Sequence, residues 1–583
     1  MSSSTTHPAL ARPRRPNRLG SRLTSSGVLF AALVALAFFL IALPVLALIG
    51  GSLWSVAPGT EGGSFTLSSY TSLLGGLDFW KLMFNSLLVG VSTACVAVAI
   101  GLVLAWLFVR SDLANGGVWL NLLTIPLYLS PLMLSLAWIA LGAPRVGFIN
   151  AVWNSWTGAG DLFSVYSVKA MVWILASHLS PYVFLSLIGP LRAMDASLEE
   201  ASLTLGGGGW KTFRKITLPL LWPALLASGI MVAILAAENF AVPTLLGRSL
   251  NFNTVPSEIY LWLSYEPTQP NLAATAGAVF LLLSLAAVML YRRLIRYADR
   301  YRTVGGKPKP PRRVSLGRMR PFVITLLVIY FLVAAVIPVL ALLLGSLLSY
   351  MTPDITWSSF TLANYREAFR GSNLTGLVNS LLLSTGSATL LTLLGALIAY
   401  AAIRGKSNFK GSLDYLSLTG AAVPGIVLGI GMLWTYVGFP LGIYGTMWIL
   451  FIAYTARFLG HAVRTCGNSL LPISPEFEEA AQMLGQGLGG RLRRIVLPLI
   501  APGMASAWVL MFIFTLNEVS ATIILYSPNT VTLSVLAWQS MQMYGAMQGF
   551  AFMLMQAVIV FLALGLMTWL LKRLDNTPNT IIR

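Results

Sequence analysis

Apolar residues run along this chain in twelve long blocks, separated by short stretches rich in Gly, Pro, Asn and charged residues. The blocks lie near 26–50, 82–109, 118–142, 166–190, 219–246 and 271–291, then near 321–349, 376–403, 413–437, 446–471, 498–526 and 546–571. A hydrocarbon layer about 30 Å thick takes about 20 helical residues to cross. Backbone groups in lipid must find partners within their own segment, so crossing segments are helical. The pattern predicts an all-α polytopic membrane protein with about twelve transmembrane helices.

Composition agrees with that reading. Apolar residues make up 56% of the 583 residues, charged residues 10%, and the mean hydropathy is +0.77; a soluble domain is about a quarter charged. The net charge of +19 is concentrated. Arg12, Arg14, Arg15, Arg18 and Arg22 precede the first block, and eleven Lys and Arg crowd into 292–320. An even number of blocks separates the two regions, so the positive-inside rule places both in the cytoplasm. These charges border membrane spans, so they indicate orientation and attraction to membrane lipid, not a nucleic-acid partner. The first block exceeds an ordinary signal h-region and is read as an uncleaved span. Cys95 and Cys466, isolated in apolar blocks, are expected to be small buried hydrophobes, with no disulfide or thiolate metal site.

The blocks also repeat. "LPVLALIGGSL" from Leu43 returns as "IPVLALLLGSL" from Ile337, and "NSLL" at Asn85 returns at Asn379, both 294 residues later. "FTLSSY" at Phe65 is echoed by "FTLANY" at Phe360. Six spans per copy is even, which makes the duplication parallel, with a pseudo-two-fold axis along the membrane normal. The expected organisation is a basic tail over 1–25, repeat 1 over 26–300, a basic Pro-rich linker over 301–320, repeat 2 over 321–575 and a short tail over 576–583.

A polar sentence is written once in each copy: "EEASLTLGGGGWKTFRKITLPLLWPAL" from Glu199 and "EEAAQMLGQGLGGRLRRIVLPLIAPGM" from Glu478. Glu200-Ala201, Gly206, Ile216 and Leu218-Pro219 stand in register with Glu479-Ala480, Gly485, Ile495 and Leu497-Pro498, at an offset of 279. Each copy reads as a short helix, a glycine stop in a left-handed turn, a second, basic helix, and a span starting at the proline. Asp195 or Ser197 is expected to cap the first copy, and Ser474-Pro475 the second. An amphipathic loop on the lipid surface would explain the basic residues but not the shared register.

The spacing E-A-A-x-x-x-G followed by I-x-L-P resembles the cytoplasmic signature of the permease subunits of ATP-binding-cassette importers; Ser202 replaces the second alanine of the first copy. The resemblance covers the chain apart from tail and linker. It implies that Glu199, Glu200, Ala201, Gly206, Ile216, Leu218 and Pro219, with Glu478, Glu479, Ala480, Gly485, Ile495, Leu497 and Pro498, form two coupling loops. Those loops would dock two copies of an ATPase subunit, which would carry the ATP and Mg2+. It further implies an extracytoplasmic substrate-binding protein as partner and a bacterial inner-membrane location, with both termini cytoplasmic. This chain itself is expected to hold no cofactor and to be no enzyme. Gly405-Lys406-Ser407 ends like a phosphate-binding loop, but Tyr400 stands where that motif needs its first glycine.

Two acids fall inside apolar blocks, in "LAAENFAVPTLLG" and "FTLNEVSATIILYSPNT". At the 279 offset Glu238 aligns with Asn517 and Asn239 with Glu518, so acid and amide have changed places. A carboxylate at mid-membrane costs about 2.5–3.5 kcal/mol even on a lenient scale. Two readings stand open: a polar pair that only joins the halves, or acids lining the outer opening of a substrate path. His178 and Arg457 also align and are read as helix-packing residues, and His461 with Arg464 as no metal site. The two acid-bearing stretches resemble the fused permeases of ferric-iron importers, and carboxylate oxygen suits a hard cation. Related permeases for thiamine, aminoethylphosphonate, polyamines or hexose phosphates are the alternatives. An ion-gradient transporter is the alternative class, but it does not predict the repeated loops.

Overall fold

The computed structural model describes residues 32–113, 116–300, 314–404, 423–438 and 442–575. The N-terminal tail, the linker over 301–313, Gly405-Lys406-Ser407, the start of the span expected at 413–437 and residues 576–583 lie outside the described residues. Nine helices among the described residues are long and apolar enough to cross a membrane: Ala32–Ser52, Leu77–Arg110, Val168–Ala193, Gly209–Ala237, Pro270–Leu294, Gly317–Ser346, Gly371–Arg404, Leu488–Leu516 and Ala546–Leu570. A tenth crossing is the pair Gly117–Tyr128 and Pro131–Gly142, bent by 88°. Met447–Leu470 has the length but carries Arg457, His461 and Arg464.

Four of the expected spans are therefore not single straight rods. The span at 118–142 breaks because Ser130 caps a new helix, accepting from the Met133 amide at 3.1 Å, with Pro131 at its first position. In repeat 2 the helix Gly425–Tyr436 starts behind Pro424 in the same register. The spans expected at 219–246 and 498–526 stop at Ala237 and Leu516, and short helices Ala241–Gly247 and Thr522–Leu525 follow. Freed backbone inside lipid needs partners, and the repeated "NSLL" supplies them. Asn85 donates to the Asn253 carbonyl (2.8 Å) and Asn379 to that of Val531 (2.9 Å); Ser86 and Ser380 accept from the Val255 and Leu533 amides.

The start of the spans after the polar sentences also differs from expectation. The basic helix is continuous with the span in each copy, over Gly209–Ala237 and Leu488–Leu516. Just before Pro219 and Pro498 each helix widens into one turn of π-helix, with Leu218 bonding back to Phe213 and Leu497 to Leu492. The same turn precedes Pro44 and Pro338. Proline lacks an N–H and its ring crowds the carbonyl four residues back, and the wider turn absorbs both.

Each repeat lends its first helix to the other. Leu43–Ser52 packs on Gly425–Tyr436, and Ile337–Ser346 packs on Pro131–Gly142, both pairs matched at the 294 offset. Within each half, Leu77–Arg110 packs on Val168–Ala193 and Gly371–Arg404 on Met447–Leu470. A side chain at Gly101 or Gly395 would strike Val183 or Ala462, the close approach that small residues allow between membrane helices. Beyond the first helices, the "FTL" echoes fold the chain back, pairing Trp54 with Phe65 and Leu348 with Phe360. Cys466 is buried as expected, but Cys95 is exposed on the outside of the bundle.

Candidate functional site

The two polar sentences form matching loops at the end of the bundle that carries Arg110, Arg404 and the linker, here the basic end. In the first, Ala196–Thr204 begins behind Asp195, which accepts from the Ser197 amide at 3.0 Å. Ser197 lies inside the helix and does not cap it. In the second, Glu476–Met483 starts one residue later than expected, after Pro475, with Ser474 accepting from the Glu476 amide. Both helices end on the expected glycine, Gly206 at φ +77° and Gly485 at φ +78°. The amides of Gly207 and Gln486 bond back to the carbonyls of Ser202 (2.8 Å) and Ala481 (3.0 Å), closing the same C-terminal motif twice.

The adjacent glutamates of each copy divide their work. Glu200 and Glu479 are exposed. Glu199 turns inward to Arg110 (3.1 Å) and accepts from the Thr217 hydroxyl (3.0 Å). Glu478 is buried against Arg404 (3.3 Å) and accepts from the Tyr400 hydroxyl (2.6 Å). Ala201, Ala480, Leu497, Pro219 and Pro498 are exposed, whereas Ile216, Ile495 and Leu218 are half-buried. Leu205, Trp210, Met483 and Leu484 project from the loops almost fully exposed. Among the described residues, the end of the linker at 314–316 joins the foundation of the first loop. Val314 donates to the Arg110 carbonyl (2.7 Å), and Asp112 accepts from the Leu316 amide and the Ser315 hydroxyl. The Leu316 amide, more than any other neighbour, holds the Asp112 carboxyl below its usual range.

The intramembrane residues meet where the broken helices end. Ala237 lies beside Gly90, fourteenth in the 34-residue helix Leu77–Arg110, so Glu238 sits in the half of the bundle away from the basic end. Position 239 and its counterpart 518 cap the turns that follow: Asn239 accepts from the Val242 amide (3.0 Å), Glu518 from the Ala521 amide (2.7 Å). Position 238 and its counterpart 517 reach into the opposite half. Glu238 meets the Arg457 guanidinium at 3.5 Å, and Asn517 donates to the Tyr128 carbonyl at 3.0 Å. Acid and amide change places because each repeat needs one acceptor as a cap and one polar arm across the axis.

Arg457 joins the whole arrangement. Its Nε lies 3.2 Å and its Nη1 3.4 Å from the Glu518 carboxylate, while Nη2 faces Glu238. A Cβ at Gly425 would overlap that guanidinium, so the glycine makes its room. The packing role expected of Arg457 is thus replaced by an ionic one. Its counterpart His178 donates through Nδ1 to the Pro126 carbonyl at 3.1 Å, filling a bond that the bend leaves open. Beside Glu238, Phe240 lies between Tyr260 and Trp538, and the Trp538 indole donates to the Tyr260 hydroxyl across the halves at 3.0 Å. Among the described residues no cluster of His, Cys, Asp and Glu could hold a metal ion. Arg110 and Arg404 were legible as the shared ends of one apolar block at the 294 offset; the aromatic trio carried no such signal.

Comparison with known proteins agrees with this architecture. The family described as binding-protein-dependent transport system inner membrane component matches residues 97–300 and again 391–576. Ferric transport system permease proteins FbpB 1 of Haemophilus influenzae and FbpB of Actinobacillus pleuropneumoniae are 27% and 26% identical to the chain. They cover 85% and 86% of it, over 77% and 71% of their own lengths. PhnV of Salmonella paratyphi A, named for 2-aminoethylphosphonate transport, is 28% identical over 42% of the chain and 93% of its own length. The chain belongs to the binding-protein-dependent transport family, in a form that carries two repeats.

Proposed function

We propose that this member of the binding-protein-dependent transport family is the translocation subunit of a ferric-iron importer, with both halves of the path on one chain. The duplicated loop carries the reading. Two copies of one glycine-stopped helix, each held by a buried Glu–Arg pair and each presenting an apolar tip, suit two copies of one ATPase subunit. The basic end then faces the cytoplasm, as the positive-inside rule requires, and both termini lie there. A binding protein delivers cargo at the opposite end. ATP binding draws the ATPase subunits together, the loops Glu199–Pro219 and Glu478–Pro498 pass that motion upward, and the halves rock about the axis.

Iron is favoured because the two relatives named for ferric transport match along both repeats, whereas the phosphonate-transport relative matches one stretch of 248 residues. Glu238 and Glu518, with Asn239 and Asn517, then line the path or gate it, and carboxylate oxygens suit a hard cation. Replacing Gly206 and Gly485 with valine in the complex with its ATPase tests the coupling role. Left-handed backbone is strained for a branched side chain. ATP-driven uptake should vanish while the chain still reaches the membrane; undiminished coupled uptake would refute the reading. Metal analysis of the binding protein that copurifies tests the cargo, which should be iron.

A further inference from the structure

We propose that Arg457 is the key of an ionic latch that closes the path between the halves at the end away from the coupling loops. The proposal rests on the pathway reading above and adds the residue that locks it. Arg457 belongs to repeat 2, yet its guanidinium is shared between Glu518 of its own half and Glu238 of the other. Among the described residues no other cation forms an ion pair with either acid. Gly425 reserves the guanidinium's space.

The latch is single. At the matching position of repeat 1, His178 is taken up by the Pro126 carbonyl. It is also linked mechanically to a lid, because Phe240, packed against Trp538 of the opposite half, follows Glu238 by two residues. Separating the halves would part Arg457 from Glu238 and break the Trp538–Tyr260 bond in one movement. Water entering the gap would hydrate the separated ions, so the arrangement has two stable forms and few between. Arginine suits such a lock, being weakly hydrated and able to serve two carboxylates from one planar fork. Losing it leaves two carboxylates facing each other, which favours the open form.

The test uses the full chain in proteoliposomes without ATPase, binding protein or cargo, so a failure counts against the latch and not against the transport reading. Cys95→Ala and Cys466→Ala remove both native thiols. Ala241→Cys, at a position 1% exposed beside the latch, reports opening by its reaction with a water-soluble maleimide. R457Q should label about tenfold faster than the parent, the signature of a closed population shifted by one decade. A second reporter, Ala105→Cys, buried within repeat 1, should stay slow. Equal labelling of R457Q and parent at position 241 overturns the latch, and so does an equal rise at position 105, which would mean general loosening. If R457Q does not accumulate, E238Q/E518Q removes the same pairs from the other side and must show the same selective rise; parental labelling there overturns the proposal.

Discussion

The basic end and the centre of this molecule have treated the same duplication differently. At the basic end Arg110–Glu199 and Arg404–Glu478 occupy matching positions and perform matching work. At the centre four matched pairs differ: Glu238 with Asn517, Asn239 with Glu518, His178 with Arg457, Pro131 with Gly425. An ion pair that ties a loop to its own half is needed once per half. A network that crosses the axis is different, because two copies of Arg457 would bring like charges together in a poorly solvated place. Symmetry survives where a contact can be made once per half, as in the exchanged first helices, and is lost where one network must serve both halves.

The comparison can be broken most forcefully at the basic end. R110A and R404A each strand a glutamate in a poorly hydrated pocket, and removing one partner of a buried pair costs about 3–5 kcal/mol. Arg110 is only 2% exposed and Glu199 14%, so the first repeat should sit near the lower figure. Thermal unfolding in detergent should fall in both variants. The double variant R110A/E199A should recover part of the loss, and no recovery would deny that the two residues act as a pair. At the centre, G425A should expel the Arg457 guanidinium, with an overpacking cost of about 1–3 kcal/mol, measurable by the same unfolding assay. Alanine at Gly467, where an added Cβ would meet Ile403 and Ala399 at ordinary van der Waals distance, should be tolerated better. Equal costs would remove the special standing of Gly425.

The smallest effect concerns the end of the linker, where residues 314–316 join the foundation of the first loop. Asp112 accepts from the Leu316 amide, and its carboxyl is held below the usual range, chiefly by that bond. A carboxylate with a lowered folded value contributes above its unfolded value and stops contributing as pH falls through the folded one. Protection of the Leu316 amide, measured against its intrinsic exchange rate at each pH, should therefore fall as the solution is acidified through and below the ordinary carboxylate range. D112N should lower that protection at neutral pH as well. Protection that ignores both changes would detach Asp112 from the linker.

Some of the site could be read before any fold was known. Glu238, Asn239, Asn517 and Glu518 were conspicuous because polar groups in an apolar block are costly and few. The exchange of acid and amide was visible too, but its cause was not. Whether a residue caps the next turn or crosses the axis depends on where the helix breaks. Arg457 showed the opposite difficulty. As a cation in a helix without an acid it looked like a packing residue, since its partners lie 61 and 219 residues away. The bend at Ser130-Pro131 could have been foreseen from the proline, yet the apolar run on both sides concealed it.

What the amino-acid sequence determined alone is everything carried by one-dimensional order. Long apolar runs required membrane helices, constant offsets established two parallel copies, and the glycine and proline of each polar sentence set where its helices stop and bend. Those features depend on local backbone chemistry and on solvent, which a linear string records. Only the tertiary structure decided which ions meet, because that choice is made where helices from both halves converge. There, backbone bonds released by the breaks and charges excluded from lipid must be satisfied together, by whichever side chains the packing brings within about 3 Å.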